Sequence, residues 1–264
     1  MTAASRNFLV MATNDAKSME KKNIVVWFSC GAASAVAAKL TVDKYEPEFN
    51  VMIVNNPVDE EEPDNLRFMA DVSNWLGKEI LCAKNTKLGH TSAYEVWEKR
   101  KYMAGVGGAP CTLLLKKEAR YEFEKSHDIA FHVLGFTADE GRRHERFTKF
   151  ERGNVLPILI DAGITKGRCF EIVEEAGIVL PLSYRLGFAN ANCVGCVKAS
   201  SPIYWQLVRK KFPAVFESRA EQSRRIGCRL VKLNGKRIFL DELPDKQYKG
   251  KIKGYECGIF CDTK

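Results

Sequence analysis

Long apolar runs are missing from this 264-residue chain. Their absence excludes a helical membrane span, which needs roughly 18 or more consecutive apolar residues. No secretory leader is expected either. The opening stretch, "MTAASRNFLVMATNDAKSMEKK", holds one short apolar piece, Phe8 to Ala12, too brief for the core of a signal peptide. Residues 1–21 therefore read as a flexible extension, and the cytoplasm, with no membrane partner, is the expected location. Histidine is scarce. His90, His127, His132 and His144 are the full complement, their spacing suits no metal, and none is assigned a catalytic role. The Walker signature GxxxxGK[ST] is absent, which removes one common phosphate loop. No internal repeat or low-complexity tract is visible.

What is present is the composition of a soluble globular protein, 45% hydrophobic and 28% charged. The length allows one large domain, or one domain with an appendage. Nine cysteines in the reducing compartment expected here argue against a disulfide framework. Core thiols, metal ligands and reactive thiols remain. The charge is uneven. Residues 201–264 carry fifteen Lys/Arg against seven Asp/Glu, an excess equal to the net +8 of the whole chain. Such a segment attracts polyanions, from nucleotides to RNA or DNA. A solvated basic surface is the plainer alternative.

Periodicity supplies the fold class. "NIVVWFS", "EFNVMIVNN", "KEILCAK", "IAFHVLGFT" and "NVLPILI" are short apolar runs suited to buried parallel strands. Helical patterns separate them: "AVAAKLTVDKY", then "DNLRFMADVSNWLGK" with Leu66, Met69, Val72 and Leu76 in one stripe, then "SAYEVWEKRKYMA" and "TLLLKKEARYEFEKSH". Strands alternating with helices predict a doubly wound α/β fold with a mostly parallel sheet. We assign it to residues 22–190, followed by a basic, cysteine-bearing C-terminal appendage, 191–264. In that appendage "RLVKL", "NGK" and "RIFL" form a hairpin pattern.

The junction "NIVVWFSCGAAS" is the first candidate site. A turn from a buried strand into a helix leaves backbone N–H groups without partners, and the helix dipole adds positive charge there. Small residues let an anion approach, so Ser29, Gly31 and Ser34 point to phosphate or sulfate binding. Tight packing of the turn would ask for the same small residues.

"FSCGAAS" resembles the PP-loop of the adenine nucleotide α-hydrolase superfamily, usually SGGxDS. Cys30 stands where glycine is usual. Ala33 stands where the ATP pyrophosphatases often carry aspartate, which tells against magnesium-assisted ATP cleavage. Further segments resemble the phosphoadenosine phosphosulfate (PAPS) reductase branch: "VNNPVDEEEPDNLRF", "GAPCTLLLKKEA", "GFTADEGRRHERF" and the terminal "ECGIFC". The resemblance implies an adenine nucleotide (PAPS, APS or ATP) held by Ser29, Gly31, Ala32 and Ser34, with Glu140, Arg143, Arg146 and Lys116 beside it. It implies a [4Fe–4S] cluster on Cys111, Cys193, Cys196 and Cys261. It also implies Cys257 as the thiol that attacks sulfur, and a thioredoxin-like reductant. Two other activities stay open. One is ATP-dependent adenylation, with Mg, and sulfur transfer to nucleic acid. The other is nucleotide binding without turnover.

Spacing alone does not choose the metal. The CxxC of Cys193 and Cys196 and the CxxxC of Cys257 and Cys261 suit zinc as well as iron–sulfur, and uncoordinated thiols are a third reading. Cys257 is either nucleophile or ligand. Cys30, Cys82, Cys169 and Cys228 read as small buried hydrophobes. The acidic run Asp59–Glu62 reads as solvated. Tyr204 and Trp205, beside Arg209, Lys210 and Lys211, read as core aromatics, with base stacking as the alternative.

Overall fold

Along Asn23–Phe28, which forms β1, side chains point alternately to two apolar layers, as the two-residue period of a strand dictates. Ile24, Val26 and Phe28 enter one layer, Val25 and Trp27 the other. The structure, a computed structural model, describes residues 21–105, 108–252 and 254. Five parallel strands make the central sheet: β1, β2 (Asn50–Asn55), β3 (Ile80–Cys82), β4 (Ile129–Val133) and β5 (Val155–Leu156), in the order β3-β2-β1-β4-β5. All five predicted strands are present, and the fold is doubly wound α/β. The chain steps outward from β1 through β2 to β3. It then returns to the opposite side of β1 for β4 and β5. The winding reverses between β1 and β4, where open α/β sheets place their ligands.

Helix α1 (Ala32–Tyr45) follows β1, and its alanines 32, 35, 37 and 38 are fully buried. Without side-chain bulk, the helix axis lies close to the sheet. Helix α2 (Asp64–Leu76) ends on Gly77 in the left-handed conformation, as its sequence predicts. Its buried stripe is Phe68, Val72 and Leu76, whereas Leu66 is 67% exposed. The predicted stripe was therefore out of phase at its first residue. Helix α3 (Ala93–Arg100) comes next, then a π-helical stretch, Thr112–Lys117, running into α4 (Glu118–Lys125). Helix α5 (Gly141–Phe150) follows β4, and α4 and α5 cover the second face through Phe123 and Phe147. The short α6 (Ile158–Asp161) and α7 (Lys166–Glu175) cover the first face beside α1.

Beyond the short α8 (Leu182–Arg185), helices α9 (Pro202–Lys211) and α10 (Pro213–Ile226) separate at Pro213. The predicted hairpin is β6 (Val231–Leu233) and β7 (Lys236–Ile238), with Asn234 and Gly235 both at positive φ. This part builds a separate apolar cluster around Trp205, Phe216 and Leu240, to which Val96, Trp97, Leu114 and Leu115 also contribute. Among the described residues no helix is long and apolar enough to cross a membrane.

One buried polar group makes the fold acid-sensitive. His132 in β4 is 3% exposed, accepts a hydrogen bond at Nδ1 from Trp27 Nε1 at 3.2 Å, and stacks on that indole. Burial pushes its pKa down to about 4, and the Arg152 and Arg120 charges add to the shift. Below pH 6.5 the unfolded chain takes up a proton that the folded chain refuses, so stability falls as pH falls. Between pH 7 and pH 4 the expected loss from this group is about 3 kcal/mol. Urea titrations across that range should show it in the wild type and not in His132→Gln.

Candidate functional site

At the carboxyl end of β1 the chain turns sharply. Cys30 sits at φ +55°, in the left-handed region. Glycine enters that region without strain, whereas a residue with a Cβ is strained by about 1–2 kcal/mol. The cysteine at this position is therefore conformationally costly, and its thiol is enclosed. Asn55 Nδ2 approaches the sulfur at 3.6 Å, and burial pushes the thiol pKa well up, so it stays protonated. Ser34 braces the turn. Its hydroxyl donates to the Gly31 carbonyl at 2.8 Å and accepts from the Ser29 amide at 3.1 Å and the Ser29 hydroxyl at 3.3 Å. The hydrogen that Ser34 was expected to offer an anion is used inside the loop. Gly31 caps α1 with no side-chain acceptor, so the first-turn amides, Ala32 included, receive no local cap.

This loop forms one wall of a cavity of about 330 Å³ at the reversal point of the sheet. Ser29, Gly31, Ala33 and Ser34 line it, together with Asn55 and Asn56 from the end of β2 and Leu134 to Thr137 from the end of β4. Gly135 lies hard against the loop. A Cβ there would stand 2.8 Å from the Ser34 nitrogen and 3.0 Å from the Ala33 carbonyl carbon. Opposite are Tyr184, Asn190 and Asn192, and Gly254 also reaches the lining.

Four cations face the space: Lys116, Arg120, Arg143 and Lys166, against the acids Asp139 and Glu140. Each is held in place. Lys116 pairs with Glu61 at 3.2 Å, and Arg120 Nε donates to Asn56 Oδ1 at 2.7 Å while its guanidinium lies over Trp27. Lys166 Nζ donates to the Ala189 carbonyl and to Asn190 Oδ1, each at 2.6 Å. The Glu140 carboxylate closes a capping box with Thr137 and pairs with Arg143. Of the predicted site residues, the cavity thus collects Ser29, Gly31, Ser34, Lys116, Glu140 and Arg143. Arg146 is exposed further along α5 and does not line it.

The sequence reading missed Gly135, Asn55, Asn56, Arg120, Lys166 and Tyr184. The pair "NN" straight after an apolar strand, and the glycine opening "GFTADEG", were the available signals. It also misjudged the acidic run. Glu62 is buried, Glu61 is paired, and the Glu60 carboxylate accepts from Ser92 Oγ and from the Ala93 and Tyr94 amides. Burial pushes the Glu61 pKa up, with Lys116 opposing the shift.

The cysteine-bearing turn lies next to the cavity, since Asn190 and Asn192 line both the cavity and a small recess at Cys193 and Cys196. Tyr204 Oη accepts from the Cys196 amide at 2.8 Å, and the Val194 amide donates to the Glu60 carbonyl at 2.8 Å. Tyr204 and Trp205 are buried, and Trp205 Nε1 donates to the Ala199 carbonyl at 2.7 Å. That enclosure rules out base stacking on either ring. Cys111 packs on the same apolar cluster as Cys193 and Cys196. Cys257 and Cys261 lie outside the described residues. Among the described residues no three His, Cys, Asp or Glu side chains stand ready to hold a metal ion. Cys193 and Cys196 share one turn, and that turn lies against the buried side chain of Arg219 on α10. Elsewhere, Cys169 is buried and its thiol is pushed up to about 11, while Cys228 is half-buried. Cys82 is exposed, contrary to expectation, because β3 is an edge strand ending there.

Fold and cavity together define a doubly wound α/β protein with a cation-rich cleft at its switch point. No family model matches the chain, and no curated protein does. Among solved structures it is similar to NMN synthetase from Francisella tularensis, at 19% identity and a TM-score of 0.40, over 61% of this chain and 64% of that one. The chain thus spans less than two thirds of the length of that protein.

Proposed function

We propose that the protein is a PP-loop enzyme that binds an adenine nucleotide in the cleft between β1 and β4. The observation that carries this reading is the uncapped start of α1, opening on a cavity ringed by Lys116, Arg120, Arg143 and Lys166. Helix amides and fixed cations together suit a phosphate or sulfate group. The lining up to Asn190 and Asn192 leaves room for the rest of a nucleotide.

The finer reading is sulfonucleotide reduction of the PAPS reductase type. Gly254 lines the cavity, and Cys257 follows it by three positions in the sequence. The Cys257 thiolate attacks the sulfur of APS or PAPS. An S–S bond forms, the S–O bond to phosphate breaks, and the nucleotide leaves with that oxygen. A thioredoxin-like dithiol then releases sulfite and is oxidised to a disulfide. Cys111, Cys193, Cys196 and Cys261 would hold a [4Fe–4S] cluster, or zinc, next to the cleft. Such a centre supplies electrostatic tuning of the bound sulfonucleotide. A second reading, ATP-dependent sulfur transfer to nucleic acid, draws on the basic excess of residues 201–264, which suits a polyanion.

Calorimetric titration of anaerobically purified protein with APS, PAPS and ATP tests the class. Saturable binding of at least one is expected, and binding of none overturns it. A sulfonate adduct on Cys257, seen by mass spectrometry after APS or PAPS, selects the reductase reading. Pyrophosphate released from ATP only when RNA or DNA is added selects the other.

A further inference from the structure

The β6–β7 hairpin carries charge of one sign. Arg229, Lys232, Lys236 and Arg237 fall within it or just before it, and no Asp or Glu occurs between Glu221 and Asp241. All four cations are exposed, and among the described residues none of them forms an ion pair. Their surroundings differ. The exposed Arg225 on α10 pairs with Glu98, and Arg224 takes both Asp241 and Glu242, the nearest acids beyond the hairpin.

Register places the charges. Lys232 stands opposite Arg237 in the ladder, and Val231 stands opposite Ile238. Directly opposed residues share a face of the sheet, and successive residues alternate between faces. Val231 and Ile238 pack into the apolar cluster, so Lys232 and Arg237 turn together to solvent. Lys236 follows the Asn234–Gly235 turn at the exposed tip. Like charges directly opposed on a sheet are destabilising, and a hairpin with three residues per strand has little stability to set against that cost. Arg237 Nη1 donates to the Leu230 carbonyl at 2.9 Å, which steadies the base of the hairpin.

Fixed cations without internal partners suit a phosphodiester backbone. Shape selects its form. Residues 229–238 include no aromatic side chain, and Phe239 is buried beneath the guanidinium groups of Arg224 and Arg229. No ring is therefore offered to unstacked bases, which single-strand binding uses. A two-stranded ribbon fits the major groove of B-form DNA, whereas the deep, narrow major groove of A-form RNA is closed to side chains.

We infer that the β6–β7 hairpin is a docking arm for double-stranded DNA, with Arg229, Lys232, Lys236 and Arg237 against its phosphates. This goes beyond the nucleotide cleft and gives the second reading above a surface for its polyanion. The test needs no nucleotide, so its failure and the failure of the cleft reading are separate results.

Fluorescence anisotropy of a labelled duplex of about 20 base pairs, titrated with full-length protein between about 50 and 200 mM salt, makes the measurement. Wild-type affinity should fall steeply with salt, and four phosphate contacts give a log–log slope of about −3.6. Lys232→Gln/Lys236→Gln should bind at least tenfold more weakly at the lowest salt, with a slope of about −1.8. Its melting temperature should be unchanged or raised, since a like-charge pair is removed. Lys232→Arg/Lys236→Arg should bind as the wild type does. Lys39→Gln/Lys44→Gln, which removes the same charge from α1, should leave affinity and slope unchanged. No binding of the duplex at the lowest salt overturns the proposal. So does an unchanged slope in the hairpin variant, or an equal loss in the α1 variant, which would make net charge the cause. Tighter binding of single-stranded DNA, of duplex RNA or of phosphatidylglycerol vesicles overturns the assignment to double-stranded DNA.

Discussion

Gly135→Ala is expected to weaken nucleotide binding about a hundredfold and to lower the melting temperature. The reason is geometric. The added Cβ would sit 2.8 Å from the Ser34 nitrogen, 3.0 Å from the Ala33 carbonyl carbon and 3.2 Å from the Ser34 Cα. These are backbone atoms of the helix start, so no side-chain rotation relieves the contact. Relief requires α1 to move, and its buried alanines lock it onto the sheet. Overpacking of this kind costs about 1–3 kcal/mol of stability. The amides proposed to hold the anion shift with the helix, and losing one or two hydrogen bonds to a charged group, each worth about 1.5–3 kcal/mol, is a loss of about a hundredfold in affinity. Calorimetry with the nucleotide that binds best, paired with thermal melts, makes the measurement. Gly141→Ala is the control, because a Cβ there meets nothing within 4 Å. Wild-type affinity in Gly135→Ala would contradict the close approach of β4 to the loop.

That prediction also marks where reading the sequence stopped. The five strands, α1 and the Asn234–Gly235 turn were legible because each is written locally, in a run of β-branched residues, a run of alanines or a turn dipeptide. The turn from β1 into α1 was legible for the same reason, as small residues between a buried strand and a helix. Long-range partners were not. Nothing near Gly135 in the chain says that Ser34, about a hundred residues earlier, lies against it. The acidic run from Asp59 to Glu62 looks like a solvated patch in sequence. Asp59 is indeed exposed, but Glu60 and Glu61 are withdrawn from solvent because Ser92, the start of α3 and Lys116 fold onto them, and Glu62 is buried. Leu66 and Phe68 exchanged places for a smaller reason: two apolar residues two apart cannot both face the sheet from one helix, and the periodic pattern did not say which would.

Lys116→Met is expected to cost about 3–5 kcal/mol at neutral pH, the largest loss of stability from one residue near the cleft. Lys116 Nζ and Glu61 Oε1 are 3.2 Å apart, and both side chains are nearly inaccessible to solvent. Methionine fills the lysine stem but removes the charge, leaving Glu61 buried and ionised, or forced to take a proton. The pH dependence follows from the direction of its shift. Burial already holds the Glu61 pKa above its ordinary value, with Lys116 restraining the rise. In the variant that restraint is gone and the folded pKa climbs further. At low pH the carboxyl is protonated in folded and unfolded chains alike, so the variant should approach wild-type stability there. As pH rises past the unfolded value near 4.5, the unfolded chain ionises first, and stability drains away until the folded carboxyl ionises too. Urea denaturation at pH 5 and pH 8 should therefore show a small deficit at the lower pH and a large one at the higher. Glu61→Gln combined with Lys116→Met should recover most of it, since the uncompensated charge is then absent. An equal deficit at both pH values would mean that Lys116 acts through packing, and that the ion pair has no part in holding this wall of the cleft.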